Sequence, residues 1–358
     1  RDTIRNRAPG EVNRLKALTR VGMGRCQGRM CGHVAAEILA QEAGIDIAAA
    51  GRLRAQPPVK PIPLAVVSNG VLAGKADMVE RLECDVAIIG GGTAGCAAAV
   101  HLRRAGMTVV LLERDRCGAG ASGVNFGGVR QQGRHPAELP LARRSRAIWS
   151  GINELLGEDT EFEASGHLKL ARGEADMAQL EAYAVTAREL GIDLQLIGAN
   201  AIREQYPWLG EKVVGGSLCA DDGQANPRVV APAYARLARK LGADVREGVT
   251  VTSACRTPTG FDIQTANLSV RSKFLINTAG AGGAKIAAMF GETIPLEPLM
   301  PNMVVTEPLP YVATRSIGVC GGDVYVRQIK RGNVIFGGGR GVAAGRTILG
   351  ISHRQSLA

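Results

Sequence analysis

The hydrophobic and polar positions between residues 84 and 113 fall into three blocks. Asp85–Ile89 has the short apolar run that is typical of a buried strand. Thr93–Ala105 is rich in Ala and ends near Gly106, which indicates a helix, and Thr108–Leu112 is a second apolar run. Because the connections are short, the pattern predicts a β-α-β unit with two parallel strands.

The chain divides into three parts of different composition. Residues 1–50 have a mostly helical pattern, residues 51–82 contain a Pro-rich run typical of an extended linker, and residues 83–358 show an α/β pattern. In this last part we expect a substrate subdomain at about 150–220 and 295–340. Further elements are predicted at Leu139–Leu156, Glu174–Leu190 and Arg228–Leu241 (helices), and at Gly166–Ala171, Asp244–Arg246, Val249–Ala254 and Phe274–Gly280 (strands).

The turn between the first strand and the first helix carries a G-x-G-x-x-G motif. Gly90 allows a tight turn, Gly92 lets a diphosphate approach the backbone, and Gly95 lets the helix pack closely on the strand. The helix N-terminus offers free N–H groups to phosphates. Glu113, at the end of the second strand, is suited to ribose hydroxyls. The motif predicts a dinucleotide site, and the alternative is a glycine-rich turn that binds no nucleotide.

The segment after the second strand bears on which dinucleotide is bound. A nicotinamide-binding domain would continue directly with another helix and strand. Here the glycine-rich loop Gly118–Gly128 follows instead, and it can lay backbone N–H groups along further phosphate and flavin. This discontinuity favours FAD over NAD(P), although an NAD(P)-dependent dehydrogenase stays open as an alternative.

Composition and charge narrow the classes of partner. The formal net charge is +10, but the Arg residues are scattered without aromatic residues between them, so we expect no nucleic-acid partner. We expect neither a membrane span nor a signal peptide, because no uncharged apolar run is long enough and the N-terminus lacks an apolar segment. Most of the eight Cys are isolated, which suits a reducing compartment and predicts a cytoplasmic protein.

Residues 83–341 resemble the D-amino-acid oxidase, glycine oxidase and sarcosine oxidase family of FAD enzymes. The residues that carry the resemblance are Val86–Gly95 with Glu113, the Gly-Ala-Ser loop at 120–122, residues 222–227 and Ile276–Gly280. Within the family, the chain looks most similar to the flavin subunits of hydrogen cyanide synthase, opine oxidase and D-hydroxyproline dehydrogenase. The resemblance implies a Rossmann-like FAD domain of the glutathione-reductase type with an inserted α+β substrate domain, preceded by a short helical segment.

The resemblance also implies which residues hold FAD, with the backbone of Val251 near the adenine. The expected set is Gly90, Gly92, Thr93, Ala94, Gly95, Glu113, Arg114, Ala121, Ser122, Asn125, Gly127, Gly128, Val251, Ala279 and Gly280. The family continues past Gly341 with another flavin contact and often a substrate-binding Arg. We therefore expect a C-terminally truncated domain, and a truncated or fused non-catalytic fragment is an alternative to an active enzyme.

Residues 15–63 resemble a different chain. They are similar to the 2Fe–2S domain related to bacterioferritin-associated ferredoxin, which ends the companion subunit of those same complexes. Cys26 and Cys31 match two of its ligands, whereas a cluster needs four thiolates, so the ligand set is incomplete. Two buried Cys without a metal are the alternative. This resemblance implies a companion electron-transfer subunit as a partner.

The family chemistry is hydride transfer from the substrate Cα–H to the flavin, which leaves an imine that hydrolyses and needs no acid–base triad. The carboxylate of a small amino acid or amine substrate needs a fixed cation, and Arg offers a bidentate fork. Arg130 is the first candidate because the loop before it is expected beside the cofactor, and Arg327 is the second. A surface role is the alternative for each. His135 and His167 have no partner pattern, so we expect ordinary surface or core roles for them.

Overall fold

The structure is a computed structural model of the chain, and it describes residues 1–19, 32–51, 79–297, 301–322, 324–338, 342–344 and 347–351. The chain forms two compact units, Arg1–Met78 and Val79–Ala358. Cys26, Cys31 and most of the predicted Pro-rich linker lie outside the described residues. None of the helices in the described ranges is both long and apolar enough to cross a membrane.

The described part of the first unit is helical, as predicted. Its helices are α1 Asp2–Arg7, α2 Val12–Thr19, α3 Gly32–Ala43 and α4 Ile47–Ala50. Apolar residues one helical turn apart pack into a small core of Ile4, Val12, Leu15, Ala35, Ala36, Leu39 and Ala50. At its surface Glu42 accepts a hydrogen bond of 2.8 Å from Arg5.

The second unit begins with β1, three residues before the predicted start of the domain. Its strands are β1 Glu80–Ile89, β2 Val109–Glu113, β3 Gly128–Val129, β4 His167–Ala171, β5 Gln195–Gly198, β6 Gly215–Cys219, β7 Gly223–Gln224, β8 Asp244–Glu247, β9 Ser253–Thr257, β10 Gly260–Gln264, β11 Leu268–Asn277, β12 Asn302–Pro308, β13 Ser316–Val319, β14 Val324–Gln328, β15 Asn333–Gly338, β16 Val342–Ala344 and β17 Thr347–Ile351. Its helices are α5 Thr93–Arg104, α6 Ala121–Val124, α7 Leu139–Ser150, α8 Ile152–Leu156, α9 Glu174–Glu189, α10 Ala199–Gln205, α11 Pro227–Lys240 and α12 Gly283–Ala288, with 3-10 turns at Pro136–Glu138 and Gly280–Gly282.

Six strands form the first sheet, in the order β8-β2-β1-β11-β10-β9. The first four are parallel, and β9 and β10 pair antiparallel at one edge. Helices α5 and α11 cover one face, where Val86, Ile88 and Leu111 lie in the core. Ala87, Ile89 and Leu112 point to the opposite face and pack with the β9-β10 hairpin and α12. Both faces are covered, which explains why these strands are continuous apolar runs.

Seven strands form the second sheet, in the order β12-β15-β14-β13-β4-β6-β5. Its strands come from residues 167–219 and 302–338, on either side of the return to the first sheet. Alternate residues give it two different faces. One face is apolar and packs on α10, as Leu168, Leu170 and Ile317 do. The other face is polar. Together the two sheets confirm the predicted α/β class with an inserted α+β domain.

Several predicted boundaries need correction. The predicted strand Val249–Ala254 is wrong in position, because the strand is β9, Ser253–Thr257. Val249 and Val251 are apolar for another reason: they pack as loop residues against the core beside β2. The predicted helix Leu139–Leu156 is interrupted at Gly151 between α7 and α8. The predicted last strand ends at Asn277, so Ala279 and Gly280 lie just beyond it.

Candidate functional site

The turn after β1 contains two glycines that leave no room for a side chain. Gly90 has a φ of +111°, and a Cβ there would overlap the Thr278 backbone and lie 2.9 Å from Ala279 Cα. A Cβ at Gly95 would overlap the Gly90 carbonyl oxygen and lie 2.6 Å from Thr278 Oγ1. The Thr278 hydroxyl in turn donates to the Gly90 carbonyl oxygen at 2.9 Å. The glycines therefore let the turn, α5 and the end of β11 approach one another closely.

Glu113 lies at this turn, as the sequence predicts. Its Oε2 accepts a hydrogen bond of 2.6 Å from the Gly91 N–H, and its Oε1 accepts one of 2.8 Å from the Asp115 N–H. The Val249 N–H donates to the Glu113 carbonyl oxygen at 2.9 Å, which brings the loop containing Val251 to the same edge. Each carboxylate oxygen is held by one backbone donor and keeps a lone pair for another.

The loop after β2 folds against the same turn. The Thr93 N–H donates to Ser122 Oγ at 3.0 Å, and a Cβ on Gly92 would lie 2.9 Å from that oxygen. Asn125 closes α6 by donating through Nδ2 to the carbonyl oxygens of Ala121 at 3.0 Å and Ser122 at 2.9 Å. The amide of Thr93, a residue of the expected FAD set, is thus satisfied within the chain. The other first-turn amides, of Ala94 and Gly95, have no partner inside the helix.

Three more residues of the expected FAD set lie around this turn. Ala279 and Gly280 follow β11 directly, where Thr278 N–H donates to the Ile89 carbonyl oxygen at 2.9 Å. Arg114 is exposed, and its Nε lies 3.3 Å from the Asp115 carboxylate. The structure therefore brings the predicted residues to one edge of the first sheet, and their roles toward FAD stay predictions.

Gly127 and Gly128 connect this edge to the polar face of the second sheet. Gly127 has a φ of +79°, and its carbonyl oxygen accepts a hydrogen bond of 2.8 Å from Ala225. A Cβ at Gly127 would overlap the Ala225 carbonyl oxygen and lie 2.7 Å from Arg327 Nη2. Gly128 pairs with Gln224 in the β3-β7 ladder. The loop thus passes directly over the Arg327 guanidinium.

Arg327 is a buried cation without a carboxylate partner in the described part of the chain. Only 4% of its surface is exposed, and its guanidinium carbon lies 5.5 Å from the centroid of the Phe126 ring. Nη1 donates to Gln224 Oε1 at a long 3.4 Å, and Nε is buried without any acceptor among the described residues. Burial lowers the pKa of this guanidinium to about 10. A buried arginine in this state is suited to an incoming anion.

Arg130, the first candidate from the sequence, has a different environment. The residue is exposed overall, but burial of its guanidinium lowers its pKa, and Nη1 donates to the carbonyl oxygen of Gln132 at 2.6 Å. The structure brings Arg327 rather than Arg130 against the Gly127 loop, so the burial that distinguishes them favours the second candidate. The ranking from sequence used only the position of Arg130 after the glycine loop, because the burial of a strand residue depends on which sheet face meets that loop.

A buried polar cluster beside β3 is a feature that the sequence analysis missed. Asp222 is fully buried and accepts backbone hydrogen bonds from Gln131 at 2.7 Å and Gln132 at 3.0 Å. Burial raises the pKa of the Asp222 carboxyl, and these two N–H groups act against that rise. Gln132 Nε2 contacts His167 Nδ1 at 3.1 Å. The cluster fixes the segment after Gly128 on the polar face of the second sheet.

His167 provides a pH-dependent test of this packing. Burial, with the positive charges of Arg130 and Lys169, lowers the His167 pKa to about 3. The unfolded chain protonates this histidine below about pH 6.5, whereas the folded chain does so only near pH 3. The contribution of His167 to the free energy of unfolding is therefore fully present above pH 6.5 and is lost as the pH falls toward 3. We expect H167Q to reduce the slope of unfolding free energy against pH by up to about 1.4 kcal/mol per unit in that window. Urea denaturation between pH 4 and 7 measures both slopes, and identical slopes would contradict the burial.

The described residues contain no group of three or more His, Cys, Asp or Glu side chains arranged to hold a metal ion. Six Cys of the second unit are free, and four of them, Cys96, Cys117, Cys219 and Cys320, are buried. The predicted ligands Cys26 and Cys31 lie outside the described residues, so the cluster prediction stays a prediction.

Comparison with known proteins yields matches for both units. Residues 7–71 match the sarcosine oxidase A3 domain. Mitochondrial dimethylglycine dehydrogenase of Mus musculus is 29% identical over 268 residues, which is 71% of this chain and 30% of that protein. One of the subunits of opine oxidase from Rhizobium meliloti is 28% identical over 236 residues, 63% of this chain and 64% of that protein. The chain thus spans less than two thirds of these relatives.

The fold comparison agrees with the sequence comparison. The crystal structure of L-proline dehydrogenase from P. horikoshii superposes with a TM-score of 0.68 at 24% identity, covering 77% of this chain and 75% of that one. The family described as FAD dependent oxidoreductase matches residues 85–355, which include the glycine turn, Glu113 and Arg327. The chain therefore belongs to the FAD dependent oxidoreductase family.

Proposed function

We propose that this chain binds FAD and oxidises the C–N bond of a small amino acid or secondary amine that carries a carboxylate. The observation that carries the proposal is Arg327, a buried guanidinium directly beneath the Gly127 loop, whose Nε finds no acceptor among the described residues. A buried cation is stabilised when an anion binds it, and the planar fork of arginine fits a carboxylate. The relatives named as dimethylglycine dehydrogenase and opine oxidase support this class of substrate.

The residues at the edge of the first sheet fit FAD. Gly90 and Gly95 keep side chains away from the turn, and the Ala94 and Gly95 amides of α5 would face the diphosphate. Glu113, fixed by two backbone donors, would hold the ribose, and the backbone near Val251 would meet the adenine. Ser122, Asn125, Gly127 and Gly128 would border the flavin. When bound, the flavin supplies the hydride acceptor for the substrate carbon next to nitrogen.

The protein's own contribution to such a reaction is orientation. Arg327 would hold the substrate carboxylate, and the Gly127 loop above it would border the reacting carbon. A carboxylate fixed at one point leaves few orientations for the adjacent C–N bond, which raises the fraction of productive encounters. His167 is neutral near pH 7 and bonded to Gln132, so it would not contribute a charge to substrate binding.

The proposal predicts a yellow protein that is bleached by its substrate. The purified chain, reconstituted with FAD, should show the flavin band near 450 nm and lose it anaerobically on addition of a carboxylate-bearing amine. A panel of sarcosine, dimethylglycine, proline and glycine would identify the class. A matched titration with NAD(P) tests the nicotinamide alternative. Tight NAD(P) binding without FAD binding would refute the proposal, and FAD binding without bleaching by any amine would favour a non-catalytic fragment.

We further propose that electrons leave through a companion subunit. The opine oxidase relative is named as one subunit of its enzyme, and the first unit matches the sarcosine oxidase A3 domain, which supports a multi-subunit arrangement. We expect the isolated, reduced chain to consume oxygen slowly and an artificial dye to restore turnover. An oxygen electrode measures this, and rapid oxygen consumption by the chain alone would contradict it. Iron analysis after anaerobic reconstitution tests whether Cys26 and Cys31 contribute to a cluster.

A further inference from the structure

Arg327 belongs to a row of side chains that crosses the polar face of the second sheet. The antiparallel register of β13 with β14 places Ser316 opposite Arg327. The parallel register of β4 with β13 pairs Ser316 with His167. Residues directly opposite each other on neighbouring strands point to the same face, and such strands are about 4.8 Å apart. Ser316 therefore lies between Arg327 and His167.

The segment that follows β3 covers this row. Asp222 holds the backbone of that segment by accepting from the N–H groups of Gln131 and Gln132. The side-chain Nε2 of Gln132 donates to the His167 carbonyl oxygen at 2.9 Å and contacts His167 Nδ1 at 3.1 Å. A carbonyl oxygen only accepts, so the amide nitrogen must face it. This fixes the orientation of the Gln132 amide and leaves Oε1 as its free acceptor.

Three buried polar atoms at this row find no hydrogen-bond partner among the described residues. They are Arg327 Nε, Ser316 Oγ and Gln132 Oε1. The exposed fractions of the three residues are 4%, 1% and 1%. Buried polar groups are nearly always bonded to the protein or to an ordered water. Here one group donates, one accepts and the hydroxyl does both, so together they suit a small molecule that both accepts and donates.

Burial and chemistry identify this small molecule as water. A substrate cannot reach groups that are covered to this extent. A halide ion would accept from Arg327 and Ser316, but the lone pairs of Gln132 Oε1 would repel it. One water accepts the Arg327 N–H, donates to Gln132 and forms a third bond with Ser316. Three partners are the usual number for a buried water.

We infer that Ser316 positions Arg327 for the substrate carboxylate through one ordered water, which also bonds to Gln132 Oε1. This inference rests on the proposed function and specifies which edge of the guanidinium meets the substrate. The water holds Nε, and Gln224 Oε1 accepts from Nη1, so the guanidinium is oriented from two sides. Nη2 lies 2.7 Å from the position of a Cβ on Gly127. The end of the guanidinium formed by Nη1 and Nη2 is therefore the edge that binds the carboxylate.

Removing the Ser316 hydroxyl tests the positioning role. Methoxyacetate carries one carboxylate and no C–N bond, so calorimetry on the FAD-loaded chain gives its Kd without turnover. We expect S316A to weaken methoxyacetate binding by about fivefold, because the water loses one of three partners and the guanidinium loses its fixed orientation. With a dye acceptor, the KM of an amine that bleaches the flavin should rise by a similar factor while kcat stays within about twofold. S316T restores the hydroxyl and should recover most of the affinity.

S217A is the matched control for S316A. Ser217 on β6 is also fully buried, and its hydroxyl has no partner among the described residues. It pairs with Lys169 in the next row, and β4 and β13 separate it from Arg327. We therefore expect S217A to leave the methoxyacetate Kd within about twofold. Thermal unfolding of each variant identifies any that fails to fold.

A crystal structure of the unaltered, FAD-loaded chain tests the water without any variant. We expect one water about 2.7–3.2 Å from each of Arg327 Nε, Ser316 Oγ and Gln132 Oε1. A direct bond between Arg327 Nε and Ser316 Oγ without that water would overturn the inference. An anomalous signal from bromide at the same position would also overturn it, because the site would then hold an anion.

The binding results separate the inference from the proposed function. If the unaltered chain binds methoxyacetate and S316A binds it equally well, the inference is overturned and the proposed function stands. The same holds if S217A weakens binding as much as S316A, or if a folded S316T binds as weakly as S316A. If no amine bleaches the flavin and methoxyacetate does not bind, the proposed function fails, and the positioning role of Ser316 fails with it.

Discussion

Replacing Arg327 with methionine should lower kcat/KM for a carboxylate-bearing amine by roughly 10²–10³-fold, because a buried bidentate contact to an anion is worth about 3–4 kcal/mol. Arg327 is the buried guanidinium beneath the Gly127 loop, and its Nε lacks an acceptor in the described residues. The loss should appear mainly in KM if the carboxylate contact is the same before and during reaction. Steady-state kinetics with a dye acceptor measure both constants.

The stability of the same variant distinguishes a binding role from a structural one. Arg327 makes one long hydrogen bond to Gln224 and no described ion pair, so its burial is unfavourable for folding. Methionine has a similar length and no charge, and we expect the free energy of unfolding to stay equal or rise. R327K is the matched control: it keeps the charge and loses the fork, so kcat/KM should fall by an intermediate factor. A strongly destabilised R327M with normal kinetics would show that the arginine is structural.

The β1-α5-β2 unit of the first sheet could be predicted from sequence because its signals are local. Val86–Ile89 and Val109–Leu112 are continuous apolar runs, and a glycine motif and an Ala-rich helix separate them. A parallel sheet that is covered on both faces has strands of continuous apolar residues. Two such runs joined by a helix therefore predict the strands, the helix and the parallel pairing at once. Glu113 was predictable for the same reason, since the end of the second strand must lie beside the turn after the first.

The second sheet and its polar face depend on contacts between residues far apart in sequence. β4 pairs with β13, more than 140 residues later, and this pairing brings His167 beside Ser316. No local pattern gives the register of such strands. Asp222 was visible only as part of a family motif, because its burial depends on the Gln131 and Gln132 amides arriving from another segment. Sequence placed Arg130 above Arg327 as the partner of a substrate carboxylate because Arg130 follows the glycine loop. The burial of Arg327 favours the reverse order.

The predicted strand Val249–Ala254 was misplaced because apolar residues are also found in a buried loop. Val249 and Val251 have the apolar character of a strand, yet they follow β8 as a loop that packs on the core. The Val249 N–H is used by the Glu113 carbonyl oxygen instead of a strand ladder. A short apolar run therefore indicates that the segment is buried. Whether it forms a strand depends on the hydrogen-bond partners of its backbone groups.

Replacing Gly95 with alanine should abolish FAD retention and lower the free energy of unfolding by roughly 2–4 kcal/mol. The added Cβ would overlap the Gly90 carbonyl oxygen and lie 2.6 Å from Thr278 Oγ1. Neither neighbour can retreat easily, because the Thr278 hydroxyl donates to that same carbonyl oxygen and to Ile89. The turn must therefore separate from α5, which moves the amides expected to face the diphosphate. The flavin absorbance after gel filtration and the urea midpoint measure the two effects.

The size of the Gly95 effect should come from the clash and not from helix propensity. Alanine favours a helix over glycine by about 1 kcal/mol, so in open space the same substitution would stabilise the chain. G198A is the matched control, because a Cβ at Gly198 has nothing within 4 Å and its φ of −81° suits any residue. Gly198 is the N-cap of α10, where alanine is less favourable than glycine, so we expect G198A to keep its flavin and to lower the unfolding free energy by no more than about 1 kcal/mol. If G95A retained flavin as G198A does, α5 and the turn would not be the grip on the cofactor. The tight packing among Gly90, Gly95 and Thr278 would then stabilise the fold without contributing to FAD binding.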